Sequence, residues 1–130
     1  MALRCLIVDD SPHFLQSARA LLEREGIAVV GVASTGAEAL RRAEELQPDA
    51  TLVDVDLGGE SGLDLARRLQ RETTLEPSSV ILISADAEED FADLIAASPA
   101  AGLLCKSNLS ARAIREVLGG TGDRDRRRTS

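Results

Sequence analysis

An alternation constrains this fold more than anything else in the chain. Five short apolar runs, "LRCLIV", "IAVVGVA", "ATLVDV", "SVILIS" and "GLLCK", are separated by segments with helical spacing. Continuous apolar runs of this length, rich in Val, Ile and Leu, read as strands buried on both faces. Ser11 caps the first helix with Pro12 at its first position, Phe14, Ala18, Leu21 and Leu22 share one face, and Gly26 ends it. "TGAE" reads as a capping box, Thr35 with Glu38, opening a helix that carries Leu40, Ala43 and Leu46 and stops before Pro48. Leu65, Ala66 and Leu69 form the face of a third helix. "AEEDFADLIAAS" is a fourth, with acids in the first turn, where the helix dipole favours them. Ser110 starts a fifth, with Ile114, Val117 and Leu118 inward. Five βα units predict an α/β fold: a doubly wound, five-stranded parallel sheet covered by five helices. Right-handed crossovers favour the flavodoxin-like order 2-1-3-4-5.

The 130 residues suit one domain, assigned to 1–118, with "GGTGDRDRRRTS" over 119–130 as a disordered tail or truncated linker. Phe14 and Phe91 are the only aromatics, which argues against a base-stacking nucleic-acid module. A net charge of −7 repels duplex DNA and bare polyphosphate but welcomes a metal cation. Cys5 and Cys105 each lie in an apolar run and are expected to be buried, reduced thiols. "MALRCLIVDD" is no signal peptide, and no apolar run approaches the ~20 residues a bilayer requires. A cytoplasmic protein without membrane contact is the expectation.

In a sheet of this order, ligands sit at the carboxyl ends of the strands, beside the switch between the first and third. The first strand ends in Asp9 and Asp10, the third in Asp54 with Asp56 just beyond, the fourth in Ser84 and the fifth in Lys106. Taken singly, each has a plain reading. Asp10 could merely precede a helix, Asp54 could be a turn acid, and Lys106 a solvated charge. Together they converge on one spot. Three carboxylates that close repel one another unless a cation sits among them, and hard oxygen ligands suit Mg²⁺.

With "LIVDD", "VDVDLGGESG", "ISA" and "LLCKS" in this order and on these strands, the chain resembles the receiver domain of two-component response regulators, from about Leu3 to Leu118. The resemblance implies that Asp54 accepts a phosphoryl group from a sensor histidine kinase or phosphotransfer protein. It implies Mg²⁺ held by Asp9, Asp10, Asp54 and the backbone carbonyl of Asp56, with Asp9 acting mainly through water. Lys106 and Ser84 would each contact a phosphoryl oxygen. Phosphorylation would then move the face formed by the fourth helix, fifth strand and fifth helix. Such a chain is a signalling domain that assists its own phosphorylation and dephosphorylation, and it works as a monomer or a phosphorylation-linked dimer.

Three departures stand out. Leu103 takes the place of a common aromatic switch residue, Ser107 that of a common proline, and Gly58–Gly59 stand where a proline often follows, which should loosen that loop. Asp56 and Asp86, each two residues past a site residue, either flank the path of attacking water and so set the lifetime of the phosphorylated state, or are a pair of solvated loop acids. His13, the one histidine, reads as a surface residue. The partner of the switched face is a downstream protein or an output domain of a longer DNA-binding regulator. No segment of this chain is left over to read DNA. A haloacid-dehalogenase-type phosphatase is suggested by "DVD", but in that family the motif follows the first strand. A flavodoxin relative would need a glycine- and hydroxyl-rich loop where "DDSPH" stands.

Overall fold

The computed structural model describes residues 3–73, 79–85 and 101–119. In chain order these form β1 (Arg4–Val8), α1 (Pro12–Arg24), β2 (Ala28–Ala33), α2 (Gly36–Leu46) and β3 (Ala50–Asp54). A small hairpin of β4 (Asp56–Leu57) and β5 (Glu60–Ser61) follows, then α3 (Gly62–Glu72), β6 (Val80–Ser84), β7 (Gly102–Cys105) and a helix over 111–119. The helix expected at "AEEDFADLIAAS", together with Asp86, Phe91 and the residues from 120 onward, lies outside the described residues. Four of the five expected helices are therefore described.

The main sheet runs β2-β1-β3-β6-β7, and every neighbouring pair is parallel. Counting only its five strands, this is the expected 2-1-3-4-5 order. The reason is visible in β1, which is apolar on both faces. Cys5 and Ile7 join Ala18 and Leu22 of α1 and Ile114 of the 111–119 helix. Leu6 and Val8 join Ala39 and Ala43 of α2 and Leu65, Ala66 and Leu69 of α3. A strand alternates its side chains between faces, so a continuous apolar run needs a helical layer on each side. Each fully buried Leu or Ile contributes about 1.5–3 kcal/mol by leaving water.

The helix ends follow the local chemistry, with two adjustments. Ser11 Oγ accepts from Phe14 N–H at 3.2 Å, and Pro12 occupies the first turn of α1. Thr35 Oγ1 accepts from Glu38 N–H at 3.2 Å, but the Glu38 carboxylate reaches one residue further back, to Ser34 N–H at 2.8 Å. The capping box is thus shifted on one side. α2 ends on Gln47 in a left-handed conformation (φ +47°), held by its own amide donating to Glu44 O at 3.0 Å. Glu25 Oε1 accepts from Ala111 N–H at 2.7 Å, which ties the end of α1 to the start of the last helix.

Candidate functional site

The parallel order brings the carboxyl ends of β1, β3, β6 and β7 side by side; β1 ends at Val8, ahead of the Asp9 and Asp10 expected to close it, and the residues at or just past these ends meet there. Asp9 is fully buried, Asp54 is 6% exposed and Ser84 is 3% exposed, whereas Asp10 is exposed. Single oxygens of Asp9, Asp10 and Asp54 lie within 4.8 Å of one another. β7 ends one residue earlier than expected, at Cys105, and Lys106 opens a single 3-10 turn, Lys106–Asn108. From that turn its ammonium reaches in, 2.5 Å from Asp9 Oδ2 and 3.2 Å from Asp54 Oδ2.

Asp54 is held at both oxygens. Oδ1 accepts from Asp56 N–H at 3.1 Å, and Oδ2 accepts from Lys106 at 3.2 Å. Burial pushes its carboxyl above the usual range. The Asp56 N–H opposes that push, the neighbouring Asp9 charge adds to it, and Lys106 opposes it. For Lys106, burial works against the charge, but close contact with Asp9 and the charge of Asp54 outweigh it and leave the ammonium held more firmly. Asp9 Oδ1 accepts from Ser11 N–H at 2.9 Å, while buried Asp9 Oδ2 has the Lys106 charge beside it but no well-aligned hydrogen bond among the described residues.

One ammonium against three carboxylates leaves two negative charges. At about 4 Å and an effective dielectric near 20, each unrelieved pair costs on the order of 4 kcal/mol. A hard divalent cation meets this need, so the donor set fits Mg²⁺ through Asp9, Asp10 and Asp54. A cavity of about 410 Å³ opens over the same spot, lined by Asp10, Asp54, Val55, Asp56, Gly58, Ser84 and Ala85.

Sequence reasoning found the charged groups and missed what positions them. Gly58 and Gly59, in the loop expected to be loose, form the two-residue turn of the β4–β5 hairpin, with φ of +61° and +105°. Positive φ at both central residues matches the twist of a tight hairpin, and glycine adopts it without strain. A Cβ on Gly58 would lie 2.5 Å from Asp10 Oδ2. A Cβ on Gly62 would collide with the backbone oxygen of Asp54. Glu60 Oε1 accepts from Gly36 N–H at 3.0 Å, fastening the hairpin to the start of α2. Phe14 lies under Lys106, whose Nζ is 4.4 Å from the ring centroid. The signal for Phe14 was its place in the first turn of α1, which begins at the same sheet edge.

The cysteines differ from one another. Cys5 is buried, and burial raises its thiol to about 12. Cys105 is only half-buried, because β7 is an edge strand, and its Sγ lies 3.2 Å from Ser107 Oγ. Leu103 is half-buried against the core beneath α3. Among the described residues no helix is long and apolar enough to cross a membrane.

Comparison with known proteins places the arrangement. The family described as the response regulator receiver domain matches residues 5–118. The response regulator GacA of Pseudomonas protegens is 36% identical over 125 residues, covering 91% of this chain and 56% of the relative. A LuxR-family two-component response regulator from Aurantimonas superposes with a TM-score of 0.78 at 28% identity, covering 92% of this chain and 87% of that one. The receiver domain of a modulated diguanylate cyclase from Desulfovibrio desulfuricans superposes with a TM-score of 0.73 at 29% identity, covering 91% of each. This chain spans about half the length of the GacA relatives it matches.

Proposed function

Because the chain belongs to the response regulator receiver domain family, we propose that Asp54 accepts a phosphoryl group from the phosphohistidine of a sensor kinase or phosphotransfer protein, and that the product switches a partner-binding surface. The observation that carries this reading is the Asp54 carboxylate, fixed at both oxygens beneath a cavity and flanked by two further carboxylates. A carboxylate oxygen attacks phosphorus as the donor's P–N bond breaks, and the imidazole leaves with the electron pair. Phosphoryl transfer asks mainly for positioning and charge neutralisation. When bound, Mg²⁺ supplies much of that neutralisation. Asp9 and Asp10 would hold it with Asp54, and the Asp56 backbone carbonyl would complete the protein's share.

Lys106 already stands at Asp54 and would follow the charge onto a phosphoryl oxygen. Ser84 lines the same cavity and would donate its hydroxyl to another. Ser84 ends β6 and Lys106 directly follows β7, so their movement would be carried into those strands and the helix over 111–119. Leu103 has no ring to turn, and coupling through that position would run by backbone and loop movement. The Asp56 side chain is exposed at the cavity rim, where it would orient or repel attacking water.

For the whole protein, the reading we favour is the receiver unit of a longer response regulator whose output is transcription. The length of the GacA relatives and the likeness to a LuxR-family regulator support it, over a stand-alone receiver acting by protein contact. The native open reading frame decides between them: a DNA-binding segment after residue 130 supports the first, a stop codon there the second. The family match leaves the phosphatase and flavin readings without support. The chemistry is tested with acetyl phosphate and Mg²⁺. One hydroxylamine-labile phosphoryl group per chain, mapped to the peptide containing Asp54, is expected. No incorporation, or a hydroxylamine-stable product, would reject the proposal.

A further inference from the structure

We propose that Phe14 is a positioning residue for this reaction, its ring face holding the Lys106 ammonium over the acidic cluster; the inference rests on the reading of Asp54 as acceptor. Lys106 leaves a single 3-10 turn beyond the edge strand and reaches inward along a flexible stem. Ordering a lysine costs rotamer entropy, so something must confine it if it is to stand ready at the carboxylates. The two carboxylates draw its charge but do not say from which side it comes. The Phe14 ring supplies that side, with Nζ 4.4 Å from its centroid, within the range where the ring's electron-rich face attracts a cation.

The ring is itself fixed, and the contacts close a loop. Asp9 Oδ1 accepts from Ser11 N–H at 2.9 Å, and Ser11 Oγ accepts from Phe14 N–H at 3.2 Å. The Phe14 ring faces Lys106, and Lys106 returns to Asp9 Oδ2 at 2.5 Å. Pro12 sets the backbone at the start of this turn, and the ring's remaining surface packs against the core under α1. The first turn of α1 therefore serves as more than a helix start. It connects the metal-binding edge of the site to the lysine that must meet the phosphoryl group. A leucine or methionine in its place would fill the same space without an electron-rich face.

The composition makes the test clean. The chain has two phenylalanines and no Tyr or Trp, so fluorinated phenylalanine incorporated into a Phe91→Leu background labels position 14 alone. Fluorine drains the ring face of electron density with little change in size, and packing alone would not respond to it. The rate of Mg²⁺-dependent phosphorylation by acetyl phosphate is expected to fall stepwise through the mono-, di- and trifluoro rings, by roughly threefold to tenfold in all. Phe14→Leu should show at least the full loss, and Phe14→Tyr should stay within about twofold of the parent. A rate that is flat across the fluorine series, or a Phe14→Leu chain as fast as the parent, overturns the inference. Asp54→Asn is run alongside. A flat series on a chain phosphorylated at Asp54 overturns this inference alone, whereas undiminished labelling of Asp54→Asn, or no labelling of the parent, overturns the acceptor reading and this one with it.

Discussion

Asp54 is ionised at a cost to the fold. Its carboxyl is raised by burial first and by Asp9 second, against the opposing pull of Asp56 N–H and Lys106. A group whose folded pKa lies above its unfolded value of 3.8 binds its proton more tightly in the folded chain. Its favourable contribution is then complete below 3.8 and is lost as pH rises through the raised folded value. The neutral variant Asp54→Asn should therefore be more stable than the parent at pH 7, by on the order of 1 kcal/mol, in metal-free buffer. Urea titrations across pH should show that advantage shrinking as the buffer is lowered through the raised folded value, and levelling off below 3.8. Thr51 is a second buried group left at a disadvantage. It is fully buried in β3 and its Oγ1 has no hydrogen-bond partner among the described residues. Thr51→Val keeps the shape and removes the hydroxyl, so it should stabilise the fold by about 1 kcal/mol, read as a rise in the urea midpoint with unchanged slope. The threonine has no role in the site, and acceptor chemistry should be unaffected.

The β4–β5 hairpin is the element that sequence reasoning handled least well. Asp54 and Ser84 could be placed because each ends a strand whose apolar run is plain in the sequence, and Asp9, Asp10 and Lys106 because they directly follow one. Gly58, Gly62 and Glu60 could not. Their partners are Asp10, the Asp54 backbone and the start of α2, and only the folded chain brings these together. A glycine pair looks the same in sequence whether it loosens a loop or closes a hairpin. The two glycines here can be told apart by experiment. Both have positive φ, so alanine at either should cost about 1 kcal/mol of stability. Only Gly58 crowds Asp10, whereas nothing among the described residues lies within 4 Å of a Cβ on Gly59. Gly58→Ala should thus weaken Mg²⁺ binding by roughly tenfold, measured calorimetrically, and Gly59→Ala should leave it near the parent value.

At the scale of the whole molecule, the acidic cluster is a local excess of negative charge on a chain that is already acidic overall. A cation that binds the folded chain alone stabilises it by mass action, by about 2.7 kcal/mol at a hundred times its dissociation constant. Thermal melts should therefore rise by roughly 8 °C with Mg²⁺ and return on chelation. The increment should be much smaller in Asp10→Asn, and an equal increment there would place the metal elsewhere. All of this serves one claim, that the sheet gathers these groups so that Asp54 can take a phosphoryl group. The most direct measurement is intact mass after incubation with acetyl phosphate and Mg²⁺, for the parent and for Asp54→Asn. One added phosphoryl mass on the parent and none on the variant is the expected result. Equal addition on both, or none on the parent, would contradict it.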